Sequence, residues 1–118
     1  MIRRMNLRRI VIALVAALTA ALGLVACADS SDALEAIADG ATVIDVRTPA
    51  EFDSGHLDGA LNVDVSAPDF SSRISELPKD AVYVVYCRSG NRSAAAVEQM
   101  EELGFTDVID GGAYSSLS

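Results

Sequence analysis

The sequence has no tryptophan, three phenylalanines and three tyrosines, so aromatics make up only 5% of it. Val, Ile, Leu and Ala must therefore fill the core. There are two cysteines, Cys27 and Cys87, and one histidine, His56. That set does not match the Cys/His spacings of zinc sites, so no metal centre and no cofactor are expected. Positive charge is scarce after residue 26: Arg47, Arg73, Lys79, Arg88 and Arg92 are all there is. Against 17 acids those five bases leave residues 27–118 at −12. So acidic a surface argues against nucleic acid as a partner and against charge-driven binding to anionic lipid. Internal repeats and low-complexity stretches are absent as well.

What is present divides near residue 26. Arg3, Arg4, Arg8 and Arg9 precede Ile10 to Ala28, a stretch of 19 residues without a charge. A basic region followed by an apolar one has the form of a secretory signal. It ends in Leu24-Val25-Ala26-Cys27, which resembles a bacterial lipobox. The resemblance implies cleavage before Cys27 and a diacylglyceryl group on its thiol. Residues 1–26 are thus expected to be a lipoprotein-type signal, 27–31 a tether and 32–118 the domain. The domain would be exported and lipid-anchored at the extracytoplasmic face of the bacterial cell membrane. The competing readings are an uncleaved anchor, which the apolar length also fits, and an ordinary signal with a chance cysteine. With Cys27 lipidated, Cys87 is the one free thiol and no intramolecular disulfide forms.

The remaining chain is long enough for one core, and a monomer is expected. Asp32-Ala33-Leu34-Glu35 has capping-box spacing, with Leu34 and Ile37 on one face and Gly40 ending the helix. Thr42 to Val46 reads as a buried strand. Thr48-Pro49-Ala50-Glu51 is a helix start, with Thr as N-cap, Pro first and Glu third. Ser54 to Gly59 is loop, and Ala60 to Val63 a short strand. Pro68 to Leu77 is helical, with Phe70, Ile74 and Leu77 inward. Ala81 to Tyr86 is the strongest strand. A helix from Ala94 to Leu103 follows, with Ser93 as its N-cap and Gly104 closing it. Asp107 to Ile109 is the last strand, and Gly111-Gly112 turns the chain. The alternation predicts an α/β fold: a small parallel sheet with helices on both faces.

Cys87 falls between the strongest strand and the following helix, where open α/β sheets place ligands. Cysteine reacts as thiolate, so its pKa must fall. The helix N-terminus and the charges of Arg88 and Arg92 favour the anion. Gly90 permits a positive φ, so several N–H groups of the Arg88-Ser89-Gly90-Asn91-Arg92-Ser93 loop can face one concavity. A buried structural cysteine is the plain alternative, but a polar, cationic loop is unsuited to a packed core. The spacing is Cys-x4-Arg, one residue short of the Cys-x5-Arg that cysteine phosphatases use. The smaller ring suits one sulfur atom better than a phosphoryl group.

Several segments, taken in order, resemble the rhodanese family of sulfurtransferases, specifically its single-domain exported members. They are Ile44-Asp45-Val46-Arg47, Glu51-Phe52, Gly55-His56-Leu57-Asp58-Gly59-Ala60-Leu61-Asn62, Val84 to Ser93, Leu103-Gly104-Phe105 and Gly111-Gly112. The resemblance implies that Cys87 is a nucleophile that becomes a persulfide. It implies that backbone amides from Arg88 to Ser93 cradle the outer sulfur, that Arg88 faces a small anionic sulfur donor, and that Arg92 orders the loop. Asp45 and Arg47 would be supports, with Arg47–Glu51 a further ion pair. His56 would sit in a structural loop and bond backbone, with a Cys–His dyad as the competing reading. The family's usual first strand has no counterpart in Ala28 to Ser31, and its tryptophan after the Gly-Gly turn is replaced by Tyr114. The implied reaction moves sulfane sulfur from thiosulfate or a similar donor to cyanide, a thiol or a protein acceptor. The alternatives are a persulfide relay without turnover and a small phosphatase or arsenate reductase.

Overall fold

The computed structural model describes residues 30–118. The expected signal, Cys27 and residues 28–29 lie outside the described residues.

Helix α1 spans Ser30–Ala38, so Ser30 and Ser31, expected as tether, are already helical. Asp32 lies within the helix instead of capping it. The face that packs is Ala33, Ala36 and Ile37, at spacings of three and four, and Leu34 is exposed. Strand β1 is Thr42–Asp45, α2 is Pro49–Ser54, β2 is Leu61–Asn62 and α3 is Phe70–Ile74. Then come β3 at Val82–Cys87, α4 at Asn91–Glu102, β4 at Asp107–Ala113 and α5 at Tyr114–Leu117. The strands form one sheet in the order β2-β1-β3-β4, with every neighbouring pair parallel.

Alternation along β3 divides the core between the two faces of the sheet. Tyr83, Val85 and Cys87 join Ile44, Val46, Phe70, Ile74, Ala96 and Met100 beneath α3 and α4. Val84 and Tyr86 join Val43, Ala33 and Leu117 beneath α1 and α5. Both faces are covered, as a parallel sheet requires.

Three further elements differ from their sequence patterns. The helix expected over 68–77 contracts to Phe70–Ile74, because burying Phe70 and Ile74 takes one turn, and Leu77 reaches the core from the bend beyond. Helix α4 begins at Asn91, three residues early, behind an N-cap Gly90 with φ 102°. Ser93 is therefore in its first turn and is not its cap. Strand β4 continues through Gly111-Gly112 to Ala113 by means of a bulge: Val85 pairs with Asp110, Tyr86 with Gly112, and Gly111 is the extra residue. A Cβ on Gly111 would lie 2.9 Å from Leu117 Cδ1, 3.0 Å from Val84 Cγ1 and 3.1 Å from the Val85 carbonyl oxygen. The glycine is there because the sheet and α5 leave no room for a side chain.

Candidate active site

Strand β3 delivers Cys87, fully buried, to the C-terminal edge of the sheet. The chain then curls through Arg88, Ser89 and Gly90 into α4. The Gly90 N–H donates to Cys87 Sγ at 3.0 Å, which the positive φ of Gly90 makes possible. Burial pushes the thiol pKa up. The Ser93 hydroxyl and the N–H groups of Ser93, Gly90 and Ser89 outweigh it, so the pKa falls below the ordinary thiol value. Ser93 anchors the curl from the far side: its hydroxyl lies 2.9 Å from the Gly90 carbonyl and 2.8 Å from Asp110 Oδ1. Asp110 Oδ1 also accepts the Gly112 N–H at 2.9 Å, which ties the loop to the β4 bulge.

Arg92 does not point at Cys87 as a free charge. Its Nη1 and Nη2 donate to Glu51 Oε1 at 2.7 Å and Oε2 at 2.9 Å. The expected Arg47–Glu51 pair is thus replaced by Arg92–Glu51. Glu51 also closes the capping box of α2 with Thr48, as its spacing predicted. The Arg92 bond, first among several causes, lowers the Glu51 pKa to about 2.

Arg47 is held instead by Asp45. The Asp45 carboxylate accepts the Arg47 backbone N–H at 2.9 Å, Nε at 3.0 Å and Nη2 at 2.6 Å, and the Tyr86 hydroxyl at 2.8 Å. Burial pushes Tyr86 up to about 12, so it stays a donor. Arg47 Nη2 also donates to the Gly55 carbonyl at 2.6 Å, and its guanidinium lies 4.7 Å from the Tyr114 ring centre. Asp45 and Tyr86 face the α1/α5 side of the sheet, opposite Cys87. They support the Gly55 segment and make no hydrogen bond to the loop. Asp110 was not expected at the site, and Tyr86, expected at the rim of the loop with Arg88 and Ser89, is buried on the opposite face and bonds Asp45. Neither role carried a local signal, because each acts through a partner on another strand or helix.

His56 is not among the hydrogen-bond partners of Cys87. Its Nδ1 donates to the Phe52 carbonyl at 2.8 Å and its ring stacks on Phe52 with centres 3.7 Å apart. Arg88 is exposed. With Arg47, Glu51, Ser54, Gly55, Tyr114 and Ser115 it lines an open cleft of about 480 Å³. Among the described residues, Arg88 has no ion-pair partner, whereas Arg47 and Arg92 each have one.

The chain that carries this buried cysteine is similar to known proteins along most of its described length. The family model for the rhodanese-like domain matches residues 29–115. The chain belongs to the rhodanese family. The thiosulfate sulfurtransferase GlpE of Pseudomonas aeruginosa is 40% identical over 77 residues, which is 63% of this chain and 67% of GlpE. The probable adenylyltransferase/sulfurtransferase MoeZ of Mycobacterium tuberculosis is 39% identical over 67 residues, 57% of this chain. That match spans only 17% of MoeZ. Among solved structures, a rhodanese-related protein from Thermoplasma volcanium superposes with a TM-score of 0.62 at 36% identity, covering 75% of this chain and 86% of its own. The four-stranded parallel sheet with helices is the rhodanese fold as those neighbours have it. Family and relatives together support sulfur transfer as the class of chemistry.

Proposed function

We propose that this rhodanese domain is a sulfurtransferase that works through a Cys87 persulfide, with thiosulfate or a similar small anion as donor. The Cys87 thiolate attacks the sulfane sulfur, a Cys87 S–S bond forms, the donor S–S bond breaks, and sulfite leaves with the electron pair. The acceptor, cyanide in an assay and a thiol in the cell, then attacks the outer sulfur. The persulfide bond breaks and the thiolate returns. This is two-step covalent catalysis with ping-pong kinetics. The backbone N–H groups from Arg88 to Ser93 hold the outer sulfur, and Arg88 meets the donor.

One observation carries this reading: the Gly90 N–H on Cys87 Sγ, in a Cys-x4-Arg loop one residue shorter than that of cysteine phosphatases. The matching family and the name of the GlpE relative favour the same chemistry. The test is a donor screen on the purified protein, reading one added sulfur at Cys87 by mass spectrometry and thiosulfate:cyanide turnover. Cys87→Ser is expected to abolish both, and substantial residual turnover in that variant overturns the proposal. A persulfide at Cys87 without turnover would point to the relay instead.

The proposal extends to location. The pattern of Arg3 to Cys27 supports export and lipid anchoring, with the domain a monomer on a tether. Radiolabelled fatty acid is expected in the wild-type protein and absent from Cys27→Ser. Equal labelling in both would refute the anchor.

A further inference from the structure

Glu51 stands outside the Cys87 loop, in the first turn of α2, yet it engages the loop's last cation. Both its oxygens take the Arg92 guanidinium. The same carboxylate is fixed from behind by its own helix cap, since Thr48 N–H and Oγ1 reach Oε1 at 3.4 and 3.1 Å. A bidentate pair of this kind fixes direction as well as distance. Among the described residues, Glu51 is the one carboxylate at ion-pair distance from Arg92. The other charges around the loop are Arg88 on the loop itself, Asp64 beyond β2, Asp110 in β4 behind Ser93, and the closed Asp45–Arg47 pair at the C-terminal end of β1.

We infer that Glu51 is a positioning residue for Cys87: it fixes Arg92 and cancels its charge, so that backbone N–H groups, and not a bare guanidinium, stabilise the thiolate. The inference rests on Cys87 being the nucleophile proposed above. Its chemical sense lies in the trade between thiolate fraction and reactivity. A thiolate held too firmly by a cation has a lower pKa and is a weaker nucleophile. With Arg92 neutralised, the N–H groups and the Ser93 hydroxyl lower the thiol pKa, and the thiolate keeps more of its nucleophilicity.

The experiment is the pH profile of iodoacetamide alkylation in the full-length protein, read at the Cys87 peptide so that Cys27 does not interfere. Glu51→Gln leaves Arg92 uncompensated and is expected to lower the midpoint by roughly half a pH unit. Its rate constant per thiolate should fall too. Arg92→Gln leaves Glu51 uncompensated and should raise the midpoint. The double variant should return close to wild type. Unmoved midpoints in both Glu51→Gln and Arg92→Gln, with only a loss of stability, would overturn the inference and leave Glu51 a helix cap. Alkylation needs no sulfur donor, so a failed donor screen and a failed Glu51 test are separate results.

Discussion

At the scale of single residues, two carboxylates of similar appearance in the sequence have different weights. Asp45 is fully buried and bonds Arg47, itself only 5% exposed, while Glu51 and Arg92 lie nearer the surface. Removing one partner of a buried pair strands the other charge in a medium that cannot solvate it. Asp45→Ala is therefore expected to cost about 3–5 kcal/mol in urea unfolding, a large share of a typical domain's stability. Glu51→Gln should cost less than about 1 kcal/mol, since a partly exposed pair is solvated when broken. Glu51 has its own pH signature. Its carboxyl is depressed from 4.5 to about 2, so the stability it adds is complete above 4.5 and lost as pH falls through 2. An acid titration of the wild-type protein against Glu51→Gln should diverge above that window and converge below it.

At the scale of elements, the bulge in β4 is what seats the Cys87 loop. Gly111 is displaced from the ladder, and Asp110 is thereby left beside Ser93. Gly111→Ala meets a stiff Val84 methyl and the Val85 carbonyl, so the backbone must yield. The expected loss is about 1–3 kcal/mol in urea unfolding, with turnover falling as the loop shifts. An unchanged denaturation midpoint would refute that account. This element also marks the boundary of what can be read from the chain. The buried strands, the Thr48 cap, the Cys87 loop and the parallel sheet were all legible, because each is written in a local run or spacing. The β4 extension was not, since two glycines signal a turn until a neighbouring strand pairs with them. The start of α4 was misplaced because Ser93 has the chemistry of a cap, and its hydroxyl is used on Gly90 and Asp110 instead. The partner of Glu51 was missed for the same kind of reason. Arg47 is four residues away in the chain, Arg92 is distant in it, and only the fold decides between them.

At the scale of the molecule, charge near the cleft and charge far from it have opposite signs. Residues 27–118 carry −12, yet the described cleft presents Arg88 with no carboxylate paired to it. An anionic donor is repelled by the whole and attracted at the last few ångströms. Salt separates the two, because the screening length falls from about 30 Å at 0.01 M to about 10 Å at 0.1 M. The distant acids are screened first, while a donor touching Arg88 still feels its full local field. The kcat/KM for thiosulfate is therefore expected to rise about two- to fivefold between those ionic strengths. A protein that steers anions by net positive charge would show the opposite slope. A neutral thiol acceptor, varied at saturating thiosulfate, should show almost no slope, which separates steering from an effect of salt on the fold. A fall in kcat/KM for thiosulfate over that range would mean that the field at the mouth of the cleft is positive well beyond Arg88, and that the acidic surface does not govern how the donor arrives.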